Sequence, residues 1–249
     1  MTLAVIGRGR VGLSLARAAE RAGIEVRLGP SDDPGEACRG AAAALLCVPD
    51  AAIAQACSRI GRDAPPLVGH VSGATTLDAL AAVREHDSTA FSLHPLQTFA
   101  DGETAVEGAP AAIAGAEDEA LDFARDLAEA LGMRPFEVAE EDRAAYHAAA
   151  AIASNLLVAL EQSASDLLER TGIEDARELL APLVLRTAAN WAERGPAALT
   201  GPIARGDRPT VERHRAAIAE TAPELLPVYD ALAARAEAVA RGPIEGVSA

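Results

Sequence analysis

Lysine is absent: all 22 basic side chains of this 249-residue chain are arginine. That excludes Schiff-base lysine chemistry, a Walker-type phosphate lysine and a lysine general acid. Aromatic residues make up only 3% of the chain, whereas alanine occurs 60 times. The core must therefore be built from Ala, Leu, Val and Ile, which suits close-packed helices better than a β-sandwich. Cysteine is sparse and odd in number: Cys38, Cys47 and Cys57, without C-x-x-C spacing. The pattern fits reduced, buried thiols in a cytoplasmic protein and provides neither a disulfide frame nor a zinc cluster. No basic segment precedes the first apolar run, so no signal peptide is expected. The longest uncharged apolar run, 144–160, contains Tyr146, His147, Ser154 and Asn155, and is too short and too polar for a membrane span. Positive charge is in deficit, 22 basic against 37 acidic side chains, for a net charge of −15. Such a surface repels phosphate backbones and anionic membranes. A small molecule is the expected partner, with no nucleic acid, no membrane and no metal.

The first half alternates short apolar runs with helical patterns. Strands are expected at 3–6, 25–28, 43–48, 66–71, 90–93, 111–114 and 134–138, and helices at 11–22 and from Asp50 to about residue 60. Continuous rather than alternating apolar runs, separated by helices, indicate a parallel sheet covered on both faces. After residue 140 the pattern is helical only: 141–170 reads as one long helix, 174–194 as another with a kink near Pro182, then 210–221 and 224–241. The expected architecture is α/β. A Rossmann-type doubly wound parallel sheet over residues 1–140 is followed by an all-helical substrate and dimerisation domain over 141–249.

Gly7-Arg8-Gly9-Arg10-Val11-Gly12 fits G-x-G-x-x-G between an apolar strand and an amphipathic helix. The first glycine permits a tight turn, the second admits a pyrophosphate to the backbone, and the third allows close packing of the helix. Free amides and the positive dipole end at the helix start favour the anion. The acid that would hold an adenosine ribose is missing at the end of the second strand, which reads Leu28-Gly29-Pro30-Ser31. Arg8, Arg27 and Ser31 stand nearby instead. This favours a 2′-phosphate, hence NADP over NAD.

GRGRVG at 7–12, LLCVPD at 45–50, HVSG at 70–73, SLHPLQTF at 92–99, ASNLL at 153–157 and LTGPIARGD at 199–207 together resemble a bacterial family that pairs a Rossmann-like domain with domain of unknown function 2520. The resemblance spans nearly the whole chain. It implies an NADP-oxidoreductase-like protein similar to the 6-phosphogluconate dehydrogenase superfamily, which includes ketopantoate, pyrroline-carboxylate and 3-hydroxyisobutyrate reductases or dehydrogenases. Several of those relatives carry a lysine four residues before an asparagine on the first interdomain helix. Here Ala151 stands four residues before Asn155, so the lysine-based mechanism does not carry over.

A reductase must protonate the atom left negative when hydride reaches carbon. His94 directly follows a strand, at the edge where doubly wound sheets bind ligands, and its imidazole suits acid–base work. On a helix, His147, Ala151, Ser154 and Asn155 share one stripe. His147 and Asn155 are therefore candidate catalytic residues, and Ser154 a candidate substrate contact. Ser72, Val48 and Pro49 are expected beside the cofactor, with Asp50 as a helix cap. Arg205, in a shaped loop, is a candidate ligand for a substrate carboxylate, against the alternative of an ion pair with Asp207. His86 and His214 are expected to be solvated, and Trp191 to pack at a helix or subunit interface. The expected function is NADP-dependent reduction of a small, anionic oxo acid or imine, ketopantoate-like by family neighbourhood, in the interdomain cleft. The alternative is a non-catalytic NADP(H)-binding regulatory or scaffold protein. A homodimer through 141–249 is expected, since long apolar helices pair readily across a two-fold axis.

Overall fold

The computed structural model describes residues 1–242. The chain divides into two compact units, the first ending at Ser154 and the second starting at Asn155. The division falls one helix later than residue 140.

The first unit is a seven-stranded sheet: β1 (Thr2–Ile6), β2 (Glu25–Gly29), β3 (Ala43–Leu46), β4 (Leu67–His70), β5 (Thr89–Pro95), β6 (Pro110–Gly115) and β7 (Arg134–Glu137), in the order β2-β1-β3-β4-β5-β6-β7. Strands β2, β1, β3, β4 and β5 run parallel, and so do β6 and β7. The expectation of a wholly parallel sheet needs one correction, because β6 runs antiparallel to β5, with His94 opposite Ala112. No helix crosses over between those two strands, only the loop 96–109, so the chain returns along the neighbouring edge. A ten-residue 3₁₀ segment, Leu77–His86, links β4 to β5.

Burial accounts for the continuous apolar runs. Successive side chains of a strand point to opposite faces. Leu3 and Val5 join Leu45, Phe91, Leu93 and Leu127 on one face, while Ala4 and Ile6 join Leu46, Ile53, Val68 and Leu80 on the other. Leu45 and Leu46 are both fully buried, each contributing at most about 1.5–3 kcal/mol. Helix α1 (Arg10–Arg21) turns Leu15, Ala16 and Ala19 inward, α2 (Gly35–Cys38) and α3 (Ile53–Ile60) follow the next strands, and α4 (Asp118–Ala130) turns Ala120, Ala124 and Leu127 inward. The three cysteines are free and buried, and burial pushes the Cys38 and Cys47 thiols up to about 12 and Cys57 to about 11.

The expected long helix over 141–170 is two helices, α5 (Arg143–Ala153) and α6 (Asn155–Glu169). Ser154 breaks the run with φ −125° and ψ −78°. Taken as one stretch, Glu140–Glu169 is long and apolar enough to cross a membrane by length and composition. The break falls inside it, and its first half lays a buried arginine against the sheet.

The second unit continues with α7 (Ala176–Arg194), which takes Pro182 inside it, α8 (Gly201–Ala204), α9 (Arg208–Thr221) and α10 (Leu226–Arg241). Asp207 caps α9 by accepting from the Thr210 amide and hydroxyl, which hold its carboxyl below the usual range. The ion pairs Arg170–Glu224 and Arg215–Asp230 tie the helices together.

Candidate functional site

Strand order 2-1-3 makes β1 and β3 the switch point of the sheet, where doubly wound folds take ligands beyond the carboxyl ends of their strands. The glycine loop emerges there. Gly7 has φ +113°, and a Cβ at this position would lie 2.3 Å from the Cys47 carbonyl oxygen. A Cβ on Gly12 would lie 2.1 Å from the Gly7 carbonyl oxygen, so the third glycine lets α1 close onto the loop itself. Gly9 is different: a Cβ there meets nothing within 4 Å. It is the N-cap of α1 and has no side-chain cap. The loop thus offers an open backbone cradle in front of free helix amides, a setting that fits a pyrophosphate.

Beside this cradle lies a cavity of about 500 Å³, lined by Arg8, Arg27, Leu28, Gly29, Pro30, Asp33, Glu36 and Ala37. Arg27 already donates to the Arg39 carbonyl at 2.8 Å. Among the described residues Arg8 reaches only the Leu28 carbonyl, at 3.5 Å, and is the arginine freer to take an anion. Asp33 and Glu36 bring negative charge to the same cavity. Ser31 is exposed and outside this lining, Arg10 is exposed at the start of α1, and Val11 is half-buried against the core. Val48 packs toward Gly7, and Pro49 is exposed at the carboxyl end of β3.

A second cluster gathers at the same edge, beyond β4 and β5. His94 Nδ1 and the Tyr146 hydroxyl are 2.7 Å apart, and their rings meet edge-to-face. His147 stands against the same imidazole, with ring centroids 6.0 Å apart. Both histidines press on Gly73. A Cβ there would lie 2.8 Å from His147 Cδ2 and 3.0 Å from His94 Nε2. Burial first, then the neighbouring His147 and Arg143, push His94 down to about 4, against a smaller upward pull from Asp50. Its imidazole is neutral at pH 7. Burial also raises the Tyr146 phenol to about 12.

Arg143 sets this cluster in place. Its side chain is 2% exposed. It donates to Glu140 Oε1 at 2.5 Å, to the Ser72 carbonyl at 3.4 Å and to the Ser92 hydroxyl. Glu140 Oε2 in turn accepts from the Leu77 amide at 2.7 Å. One guanidinium therefore joins α5 to the loop after β4 and to the middle of β5. His70, fully buried, accepts the Ser72 amide on Nδ1, and burial and Arg143 push it down to about 4. Ser72 uses its hydroxyl on its own loop, accepting from the Ala74 and Thr75 amides and contacting Thr75 Oγ1. That engages the group expected to face a ribose.

The structure brings His94 and His147 together as candidates. Half-buried Ala151 and Ser154 continue the covered face of α5, whereas Asn155 opens the next helix and is exposed. The helix break at Ser154 is the reason, since the stripe rule requires an unbroken helix. Arg205 is exposed, and Asp207 is occupied as a cap rather than in an ion pair with it. His214 is not simply solvated: its Nδ1 lies 2.9 Å from the Tyr229 hydroxyl. The sequence reading missed the roles of Tyr146, Arg143 and Glu140. The signal was present: positions 143, 146, 147, 150, 151 and 154 form an i, i+3, i+4, i+7 series, and an arginine within such a face must be paired.

Residues 109–236, just over half of the chain, match the family model described as Domain of unknown function (DUF2520). The chain belongs to the DUF2520 family. Comparison of this DUF2520 protein with curated proteins finds no match. Among solved structures it is similar to a Bacteroides fragilis protein provisionally described as an NADP oxidoreductase, with 22% identity and TM-score 0.79 over 95% of this chain and 98% of that one. It is also similar to a Thermotoga maritima protein, with 22% identity and TM-score 0.77 over 96% and 98%. An imine reductase from Myxococcus stipitatus in complex with NADP+ shares 18% identity and TM-score 0.67 over 97% and 95%. At these identities, what the DUF2520 protein shares with them is the fold.

Proposed function

We propose that this protein is an NADP-dependent oxidoreductase that reduces a small oxo acid or imine. The observation that carries the reading is the placing of two features at one sheet edge: an open glycine cradle and a His94–Tyr146–His147 cluster. The backbone of Gly7, Gly9 and Gly12 would hold the pyrophosphate, Arg8 the 2′-phosphate, and Val48 and Pro49 would border the adenosine side. When bound, the dinucleotide supplies a hydride to a carbonyl or imine carbon. His94 presents Nε2 to the heteroatom of the substrate, and His147 flanks it. Arg143 and Glu140 hold both elements still. Ser154, on the first unit, is a candidate substrate contact; Arg205, on the second, has a planar fork that suits a carboxylate. Similarity to an imine reductase holding NADP+ supports the cofactor and reaction class, and ketopantoate-like oxo acids are the first substrates to try.

The test is NADPH oxidation, followed at 340 nm, across a panel of branched 2-oxo acids and cyclic imines. Turnover that falls when His94 is replaced supports the reading. Tight NADPH binding with no turnover across the panel favours a regulatory or scaffold role. The complete absence of lysine, and Ala151 where related enzymes carry one, gives that second reading its ground.

Exposed apolar side chains on the second unit support the homodimer expected through 141–249. Val158 (70% exposed), Leu183 (64%), Leu185 (71%) and Trp191 (66%) are large apolar side chains left in solvent, candidates for burial between two copies. Light scattering at micromolar concentration should give twice the chain mass; a monomer mass would remove the dimer. The free, buried thiols suit a reducing compartment, in keeping with a cytoplasmic location.

A further inference from the structure

His94 gains from a partner. An imidazole that is neutral at pH 7 has one ring proton, and giving it up leaves an imidazolate, a buried anion. A second proton arriving on the opposite nitrogen as the first one leaves keeps the ring neutral. The structure supplies one candidate for that position: the Tyr146 hydroxyl, 2.7 Å from Nδ1. A phenol is a much stronger acid than a neutral imidazole N–H. The favoured arrangement therefore has the phenol donating to Nδ1, which puts the ring proton on Nε2, the nitrogen whose edge faces Gly73. We propose that Tyr146 is the proton source behind His94, and that the pair works as a two-proton relay from phenol to substrate. The inference rests on the reductase reading proposed above.

The step balances. With an oxo-acid substrate, the carbonyl oxygen, which would gain a negative charge and a free electron pair as its carbon is reduced, forms a bond to the Nε2 proton. The N–H electrons stay in the ring. Nδ1 uses its lone pair to take the phenolic proton, and the O–H electrons remain on Tyr146 as a phenolate. The imidazole ends neutral, with its proton moved from Nε2 to Nδ1. Solvent reprotonates the phenolate and the ring returns to its first tautomer. Arg143, on the same helix face one turn earlier, lowers the energy of the phenolate and disfavours an imidazolium at His94. The groups that face His94 are Tyr146, His147 and Arg143 on α5, His70 from β4, and Asp50 from the turn after β3. Of these, only Tyr146 is in hydrogen-bond contact with Nδ1.

The composition makes the test sharp, because the chain has only two tyrosines and five histidines. Protein labelled with ¹³Cζ-tyrosine and ¹⁵N-histidine is followed by NMR from pH 5 to 11, without cofactor. The proposal predicts His94 as the neutral Nε2–H tautomer, a Tyr146 phenol that stays protonated well past pH 10, and a large shift of the His94 Nδ1 resonance in Tyr146→Phe but none in Tyr229→Phe. An Nδ1–H tautomer, or a Nδ1 resonance unmoved by Tyr146→Phe, overturns it. Turnover of any substrate found in the panel supplies the readout that a purely structural hydrogen bond would not move. Tyr146→Phe should lower kcat on the order of 10²-fold at unchanged KM. The solvent isotope effect should change from two protons in flight to one. Equal loss in KM, or an unchanged isotope effect, refutes the relay while leaving the reductase reading standing. If no substrate turns over, the reductase reading falls and the NMR result still decides the hydrogen-bond polarity on which the relay depends.

Discussion

Adding one methyl group to Gly7 and to Gly9 should have opposite consequences. At Gly7 the new Cβ lies 2.3 Å from the Cys47 carbonyl oxygen and 2.8 Å from its carbon, both backbone atoms of a central strand end, and φ is +113°. Strained backbone costs about 1–3 kcal/mol, and forcing packed atoms apart costs about 1–3 kcal/mol more. Gly7→Ala should therefore destabilise the first unit by about 4 kcal/mol, a large share of the 5–15 kcal/mol a domain usually has. At Gly9 nothing lies within 4 Å and φ is an ordinary −76°. Gly9→Ala should cost only about 0.5–1 kcal/mol, because alanine is a poorer helix N-cap than glycine, yet intrude where the pyrophosphate must approach. Urea unfolding followed by circular dichroism, with and without NADPH, separates the two effects. The expected result is a midpoint lowered by about 1 M or more for Gly7→Ala. Gly9→Ala should lower the midpoint only slightly but lose the stabilisation that NADPH gives. A Gly7→Ala protein as stable as wild type, or a Gly9→Ala protein that binds NADPH normally, would refute the reasoning.

Three further outcomes follow from the geometry. Arg8→Ala should weaken NADPH binding about tenfold or more, in keeping with the loss of a charge-assisted contact, and leave NADH binding nearly unchanged; calorimetry checks this, and equal losses would place Arg8 on a group the two nucleotides share instead of on the 2′-phosphate. Arg143→Met should cost about 3–5 kcal/mol, because Glu140 loses its buried partner and Ser72 and Ser92 lose a donor; a scanning calorimeter should show Tm lower by about 10 °C. Stability should also fall on acidification. His70 and His94 sit at about 4 in the fold, below their unfolded value of about 6.5, so the unfolded chain binds the protons more tightly. Their contribution is complete above pH ~6.5 and is lost as the pH falls toward 4, by about 3 kcal/mol for each group; denaturation midpoints unchanged between pH 7 and 4.5 would contradict this.

Much of the architecture was legible because burial leaves a period in the sequence. The runs around Leu3–Ile6 and Ala43–Leu46 are apolar at every position because both faces of those strands are covered. The glycine loop was legible because two of its three glycines are demanded by backbone contacts of about 2 Å. Four things were not. The antiparallel turn of β6 depends on what the chain does between 96 and 109, and a strand's composition does not record its direction. The break at Ser154 carries no proline or glycine, so Asn155 was placed on a stripe it does not share. Tyr146 carries no local signal, because its value comes from a partner 52 residues away in β5. Arg143 was hidden for a related reason: burial of a charge is decided by groups on other elements, here Glu140, Ser72 and Ser92, and not by its own neighbours in sequence.

The central claim is that the edge of the first unit binds NADP(H). A calorimetric titration of the purified protein with NADPH and NADH, side by side, tests it most directly. The account predicts micromolar binding of NADPH and much weaker binding of NADH, with the NADPH signal lost in Gly9→Ala. Binding of neither nucleotide by the folded wild-type protein would contradict it.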